Sequence, residues 1–129
     1  MKRDMDLVRL ILLKIEEHDV ESSSYESISI DGHSSREVFE HVRLMENAGL
    51  ISDTHYDAAC NACVQRITWS GYDYLDKVRD DSVWKKTKDV IKEKGLPLIF
   101  DTIKTIASAL ITATAEGVAN SIIKNGGQV

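Results

Sequence analysis

Five polar residues sit where a surface that reads nucleic-acid bases would need them: Ser35, Arg36, Arg43 and Asn47 in one segment, and Arg66 downstream. Arginine donates paired hydrogen bonds to guanine, and asparagine does the same to adenine. At about 100° per residue, Arg36, Glu40, Arg43 and Asn47 share one side of a helix, opposite Val38, Val42 and Met45. The same spacing also suits a solvated face, because Arg36–Glu40 and Glu40–Arg43 are i,i+4 and i,i+3 pairs. A second constellation is Cys60-x-x-Cys63 with His55 nearby, which has the spacing of half a zinc site. A structural zinc needs four ligands, and only Asp57 or His33 is at hand to add to the set, so no metal is expected.

Motifs of catalysis are missing. The chain has no phosphate-binding glycine loop, no H-E-x-x-H and no G-x-S-x-G. Gly32-His33-Ser34-Ser35 fails the nucleophile-turn pattern, and its serines are better explained as helix caps. The four histidines share no ligand spacing; His41 falls beside an apolar face, where a hydrogen-bonded structural role is expected. The expectation is a protein that is not an enzyme and carries no cofactor.

The elements that must position these residues follow from periodicity. Residues 4–18 read as a helix capped by Asp4, with Val8, Ile11, Leu12 and Ile15 on one stripe. Residues 19–27 are polar and read as a loop, Ile28–Ile30 as a short strand, and Asp31-Gly32 as a turn. A helix over 34–48 opens with the capping box Ser34-x-x-Glu37 and stops at Gly49. Leu50-Ile51 leaves as a strand, 52–63 is the turn region of a hairpin, and 64–69 is the return strand. Ser70 is expected to cap a helix with Tyr74, Leu75 and Val78 inward. Asp81 or Ser82 should cap the next, which ends at Gly95. Pro97 reads as a first-turn proline of a long helix reaching about Lys124, after which the chain should fray.

Charge is distributed unevenly. The net charge of −5 resolves into +1 over residues 1–16, −9 over 17–81, +3 over the lysine-rich 82–95 and zero beyond. The lysines Lys85, Lys86, Lys88, Lys92 and Lys94 read most simply as the wet face of an amphipathic helix. Residues 52–63 hold Asp53 and Asp57 and no base, which opposes phosphate contact by a hairpin. The charged opening Met1–Asp6 fits neither a signal nor a transit peptide, and two cysteines make no disulfide framework, so a cytoplasmic location is expected.

The order helix, short strand, helix, Gly-Leu-Ile, hairpin, helix is that of a winged helix: the glycine breaks the helix and the apolar pair returns to the core as the first wing strand. Thr68-x-x-Gly71-x-x-x-Leu75 joins strand end, cap and buried leucine. The fold class expected is mainly α with a small β-hairpin, a winged-helix domain over 1–95, a C-terminal oligomerisation helix over 96–124 and a tail over 125–129. The segments Met1–Leu7, Glu46–Ile51, Arg66–Gly71 and Leu75-Asp76-x-x-Arg79-Asp80-Asp81-x-x-Trp84-x-x-Thr87-Lys88 resemble an uncharacterised bacterial and phage domain family of unknown function. That resemblance implies a prokaryotic or phage setting and assigns no activity. The hairpin half also resembles PadR-like and MarR-like regulators, although the polar residues 19–33 supply no separate helix before the helix at 34–48, which stands in the recognition position.

The tail is the remaining signal. Ile99, Ile103, Ile106, Leu110 and Ala113 step by four and three, as in a coiled-coil seam, and Ala109, Ala113 and Gly117 step by four with small side chains. This predicts a homo-oligomer joined through the C-terminal helix. The uncharged run Thr105–Ala115 is short for a membrane span, so none is expected. The function expected is a small prokaryotic or phage regulator that binds duplex DNA as a homo-oligomer; the alternative is a non-enzymatic protein-interaction module whose acidic surface meets a basic protein partner.

Overall fold

A computed structural model of the chain describes residues 1–17 and 26–126. The elements are α1 (Met5–Glu17), α2 (Ser35–Asn47), β1 (Ile51–Tyr56), β2 (Ala62–Ile67), α3 (Trp69–Val78), α4 (Asp81–Glu93) and α5 (Phe100–Gly126). The protein is therefore mainly helical, with a two-stranded antiparallel hairpin and a long C-terminal helix, and this order is consistent with a winged helix. The chain forms two compact units that meet in sequence at Asp76 and Lys77, within α3.

In the first unit, Asp4 caps α1 as its sequence position suggests: the carboxylate accepts from the N–H of Asp6 at 2.9 Å and of Leu7 at 3.2 Å. The inward stripe Leu7, Val8, Ile11, Leu12 and Ile15 is buried. Each such side chain contributes roughly 1.5–3 kcal/mol on leaving water. Ser34 caps α2 by accepting from the Glu37 N–H at 3.1 Å. At the other end Gly49 takes φ +77, and its N–H reaches Glu46 O while that of Leu50 reaches Met45 O. This pair of bonds is a Schellman stop and needs a left-handed residue at Gly49.

The hairpin differs from its sequence reading. β1 runs to Tyr56, five residues past the expected strand end, because Thr54, His55 and Tyr56 pair with Val64, Cys63 and Ala62. One face of a hairpin can remain wet, so polar residues there do not end the ladder. Ile28–Ile30 is not a strand. Ile28 is buried and donates one backbone bond to Ala62 O at 2.9 Å, too little to build a ladder. The polar loop read over 19–27 lies mostly outside the described residues.

Helix starts moved by one or more residues. Thr68, not Ser70, caps α3: its Oγ1 accepts from the Gly71 N–H at 3.1 Å. Asp80, not Asp81 or Ser82, caps α4, accepting from the Ser82 and Val83 amides at 2.9 and 3.0 Å. Tyr74, Leu75 and Val78 are buried as expected.

In the second unit α4 and α5 pack together, with Trp84, Thr87, Ile91, Ile103 and Ala107 buried. Gly95, at φ +67, ends α4 with the same two-bond stop. Pro97 is not a first-turn residue; α5 begins at Phe100, and residues 96–99 before it are in neither helix nor strand. The helix is roughly 40 Å long at 1.5 Å per residue. Every residue from Ile111 to Lys124 is exposed.

Candidate functional site: the α2–hairpin face

Four of the five residues proposed to read bases are on α2, and all four are exposed. Arg36, Arg43 and Asn47 follow one line along the helix, as their spacing requires, with Ser35 about 100° away. The inward face is Val38, His41, Val42 and Met45. His41 is 1 % exposed and uses both ring nitrogens: Nε2 accepts from the Asp4 N–H at 2.9 Å, and Nδ1–H donates to the Glu37 carbonyl at 2.8 Å. It is a structural histidine that ties the start of α1 to the middle of α2.

The angle between helix and hairpin is set by a cluster that the sequence did not announce. The Phe39 and Tyr56 rings meet edge to face, with centroids 5.2 Å apart. The Tyr56 hydroxyl donates to the Glu46 carboxylate. That bond holds the Glu46 carboxyl below its usual value; burial and the same carboxylate push the Tyr56 phenol up. The Arg43 guanidinium lies over Phe39 at 5.9 Å, within cation–π range. Arg43 is therefore steadied by an aromatic ring and has Glu46 in its field.

Arg66, the fifth residue, is at the hairpin base and is held by Asp53: Nε to Oδ2 is 2.9 Å, with both side chains largely exposed. Asp53 adopts φ +56 and interrupts the ladder between the Ser52–Arg66 and Thr54–Val64 pairs. The other wing aspartate also has a local task. Asp57 Oδ1 accepts from the Ala59 and Asn61 amides, both at 2.9 Å, and Oδ2 from the Asn61 side chain at 3.0 Å. These bonds hold its carboxyl below the usual aspartate value. Asp57, which with His33 is one of the two residues the sequence offers to complete a four-ligand set, is thus the clasp of the hairpin turn. Among the described residues no three His, Cys, Asp or Glu side chains gather as a metal site requires. Cys60, at φ +60, and Cys63 form no disulfide with each other, and both are half-buried.

Helix α2 and the hairpin together mix signs with an acidic excess: Glu37, Glu40, Glu46, Asp53 and Asp57 against Arg36, Arg43 and Arg66. An open depression of ≈ 240 Å³ beside α2 is lined by Met1, Ser34, Arg36, Glu37 and Glu40. That is below the usual size of a small-molecule pocket.

The residues read as an oligomerisation seam separate into three groups. Ile103 is fully buried within the chain, so it is core rather than contact surface. Ile106 and Leu110 are half-buried, whereas Ala113 and Gly117 are exposed; Ile99 is exposed but precedes α5. The reason is that α4 packs on α5, and a period-3.5 stripe serves an intrachain neighbour as well as a partner chain. The large exposed aliphatics lie farther along, at Ile111, Val118, Ile122 and Ile123. By length and composition Phe100–Lys124 is apolar enough to cross a membrane, with mean hydropathy 1.4, although Lys104 and Glu116 lie inside it.

Fold and site together define a mainly helical protein whose N-terminal unit packs a helix against a hairpin. The chain belongs to the family described as "Hypothetical protein (DUF2513)", whose profile matches residues 2–97. It is 38% identical over 114 residues to a Haemophilus influenzae protein described as uncharacterized, covering 87% of this chain and 97% of that one. No solved structure matches it.

Proposed function

We propose that this is a non-enzymatic, cytoplasmic binding module whose α2–hairpin face docks on a protein partner carrying basic groups. The observation that carries this reading is the charge of the face. Arg66 is engaged by Asp53 at 2.9 Å, and Arg43 stands beside Glu46, leaving a surface with more carboxylates than guanidiniums. A DNA-facing hairpin contacts phosphates, and carboxylates there oppose binding. The test is affinity capture with the full chain and with Glu40→Lys. A stoichiometric protein partner that survives nuclease and is lost in the variant supports the reading; a partner retained equally by both overturns it.

A second reading, a DNA-binding regulator in a phage or bacterial setting, is favoured by the exposed line of Arg36, Arg43 and Asn47. Fluorescence anisotropy with duplexes at low salt, including DNA upstream of its own gene, decides it. Absence of binding to all of them removes it.

In both readings α5 joins copies of the chain through its distal half, without spanning a membrane. Ile111, Ala115, Val118 and Ile122 form a four-three-four stripe with every member exposed. Light scattering on the full chain should show an oligomer that Val118→Asp dissociates. A monomeric wild-type chain, or one that partitions into vesicles, contradicts this arrangement.

A further inference from the structure

Two tryptophans occur in the chain, and they are treated oppositely. Trp84 is 4% exposed, whereas Trp69 is 84% exposed at the first position of α3. Single exposed apolar residues are ordinary on protein surfaces. Trp69 differs because of what surrounds it. Tyr72 is 41% exposed one turn later, and Asp73 and Asp76 are exposed as well. Positions 69, 72, 73 and 76 fall within about 100° of one another on a helix, so two aromatic rings and two carboxylates share one outward stripe.

This stripe stands on a rigid base. Thr68 caps the helix through the Gly71 N–H, its own N–H bonds Leu50 O at 3.0 Å, and its Oγ1 donates to Gly49 O. Gly71 presses so closely on Leu50 that a Cβ there would lie 2.1 Å from the Leu50 carbonyl oxygen. The first turn of α3 is thereby fixed to the end of α2, where Leu44 is also exposed. A large ring exposed to water on a fixed stretch of backbone is the kind of group that dominates binding energy at protein interfaces. An aromatic face beside carboxylates is complementary to a guanidinium, which stacks on the ring and pairs with the acid.

We infer that the Trp69–Tyr72–Asp73 stripe of α3 is a docking site for an arginine-bearing segment of a protein partner. The inference rests on the protein-facing reading above and adds the anchor that reading lacks: the α2–hairpin face supplies charge, and α3 supplies the aromatic contact. An arginine is favoured over a lysine because its planar group covers the indole while its edge meets Asp73.

The experiment uses the full chain, 15N-labelled, and a synthetic helical peptide with arginines along one face, alongside its lysine counterpart. The Trp69 indole signal, assigned with Trp69→Phe, and the backbone amides are followed through a titration. The expected result is a saturable shift of the Trp69 indole together with α2–hairpin amides. The arginine peptide should bind more tightly than the lysine one. Binding should be about tenfold weaker in Trp69→Ala, with circular dichroism unchanged. Shifts confined to α2 and the hairpin, with affinity unchanged in Trp69→Ala, overturn the inference and leave the protein-facing reading standing. Shifts confined to α3 do the reverse. Absence of saturable binding by either peptide overturns both. A Trp69 signal that moves only with the protein's own concentration, or with duplex DNA, assigns the stripe to another occupant and overturns the inference.

Discussion

Gly71→Ala sets two opposing effects against each other, and the structure fixes which one wins. In a helix interior alanine is favoured over glycine by about 0.5–1 kcal/mol, because glycine loses more backbone freedom on folding. Against that, the new Cβ would meet Leu50 O at 2.1 Å and the Ile67 side chain at 2.6 Å. The carbonyl has little freedom to move away, since it accepts the Thr68 N–H at 3.0 Å in the bond that seats the cap of α3. Inserting a methyl into such a contact costs roughly 1–3 kcal/mol, and a backbone obstacle belongs at the upper end. The net expectation is a loss of about 2 kcal/mol. With a urea m value of about 1–3 kcal/mol/M, the unfolding midpoint should fall by about 1 M. Gly117→Ala is the internal control, since nothing lies within 4 Å of a Cβ there. In the isolated chain it should raise helix content and cost no stability. Urea unfolding followed by far-UV circular dichroism measures both. A Gly71→Ala protein as stable as wild type would refute the packing of α3 on the strand entry, and with it the rigid base under Trp69.

Replacing His41 with leucine removes the acceptor for the Asp4 N–H and should lower stability by about 1–3 kcal/mol in the same assay; a change below about 0.5 kcal/mol would deny the link between α1 and α2. Thr68→Val removes the α3 cap and the bond to Gly49, and a loss of about 1–2 kcal/mol is expected by thermal or urea unfolding. The Asp57 and Glu46 carboxyls are held below their ordinary values. Their contribution is present above the unfolded-state pKa and is lost as pH falls through the lower folded value. The Ala59 and Asn61 amide signals should therefore titrate together below the ordinary aspartate range, and in Asp57→Asn that titration should vanish. Burial pushes the Tyr74 phenol above the usual tyrosine range. Its contribution holds below the unfolded-state value and declines as pH rises beyond it, so Tyr74→Phe should unfold at higher pH than wild type in an alkaline titration followed by circular dichroism.

Local signals in the sequence were readable where one residue type answers one physical need. Gly49 and Gly95 each mark a helix stop because both must take positive φ, and both do. Ser34 and Asp4 cap because their oxygens reach free helix amides. The inward stripes of α1 and α2 follow directly from the 3.6-residue period. Caps went astray where neighbouring candidates compete. Thr68 displaced Ser70 because its hydroxyl also reaches Gly49 O, a partner nineteen positions away. The hairpin was read short because polar residues on a wet face carry no apolar alternation. At the face, sequence spacing placed Arg36, Arg43 and Asn47 in line but gave no sign that Phe39, Tyr56 and Glu46 would lock the hairpin to the helix. That cluster joins residues ten and more positions apart, and nothing in their spacing marks it.

Charge is the point at which sequence and structure press on function together. The count of residues 17–81 gives an acidic body. Counting cannot distinguish acids that face a partner from acids that hold the fold. The structure divides them: Asp57 clasps a turn, Asp53 holds Arg66, Glu37 meets the His33 ring at 3.1 Å, and Glu46 takes the Tyr56 hydroxyl. A carboxylate with one local partner still has lone pairs facing water, so engagement reduces its field without removing it. An engaged arginine such as Arg66 has lost part of its claim on a phosphate, because binding one would bring phosphate charge against Asp53. In the proposed reading this asymmetry is what disfavours a phosphate-lined partner and makes a basic protein surface the better match. Aromatic contact must then supply the affinity that exposed ion pairs, at about 0–1 kcal/mol each, do not. Under that reading the exposed ring of Trp69, on the same unit, has the size to supply it.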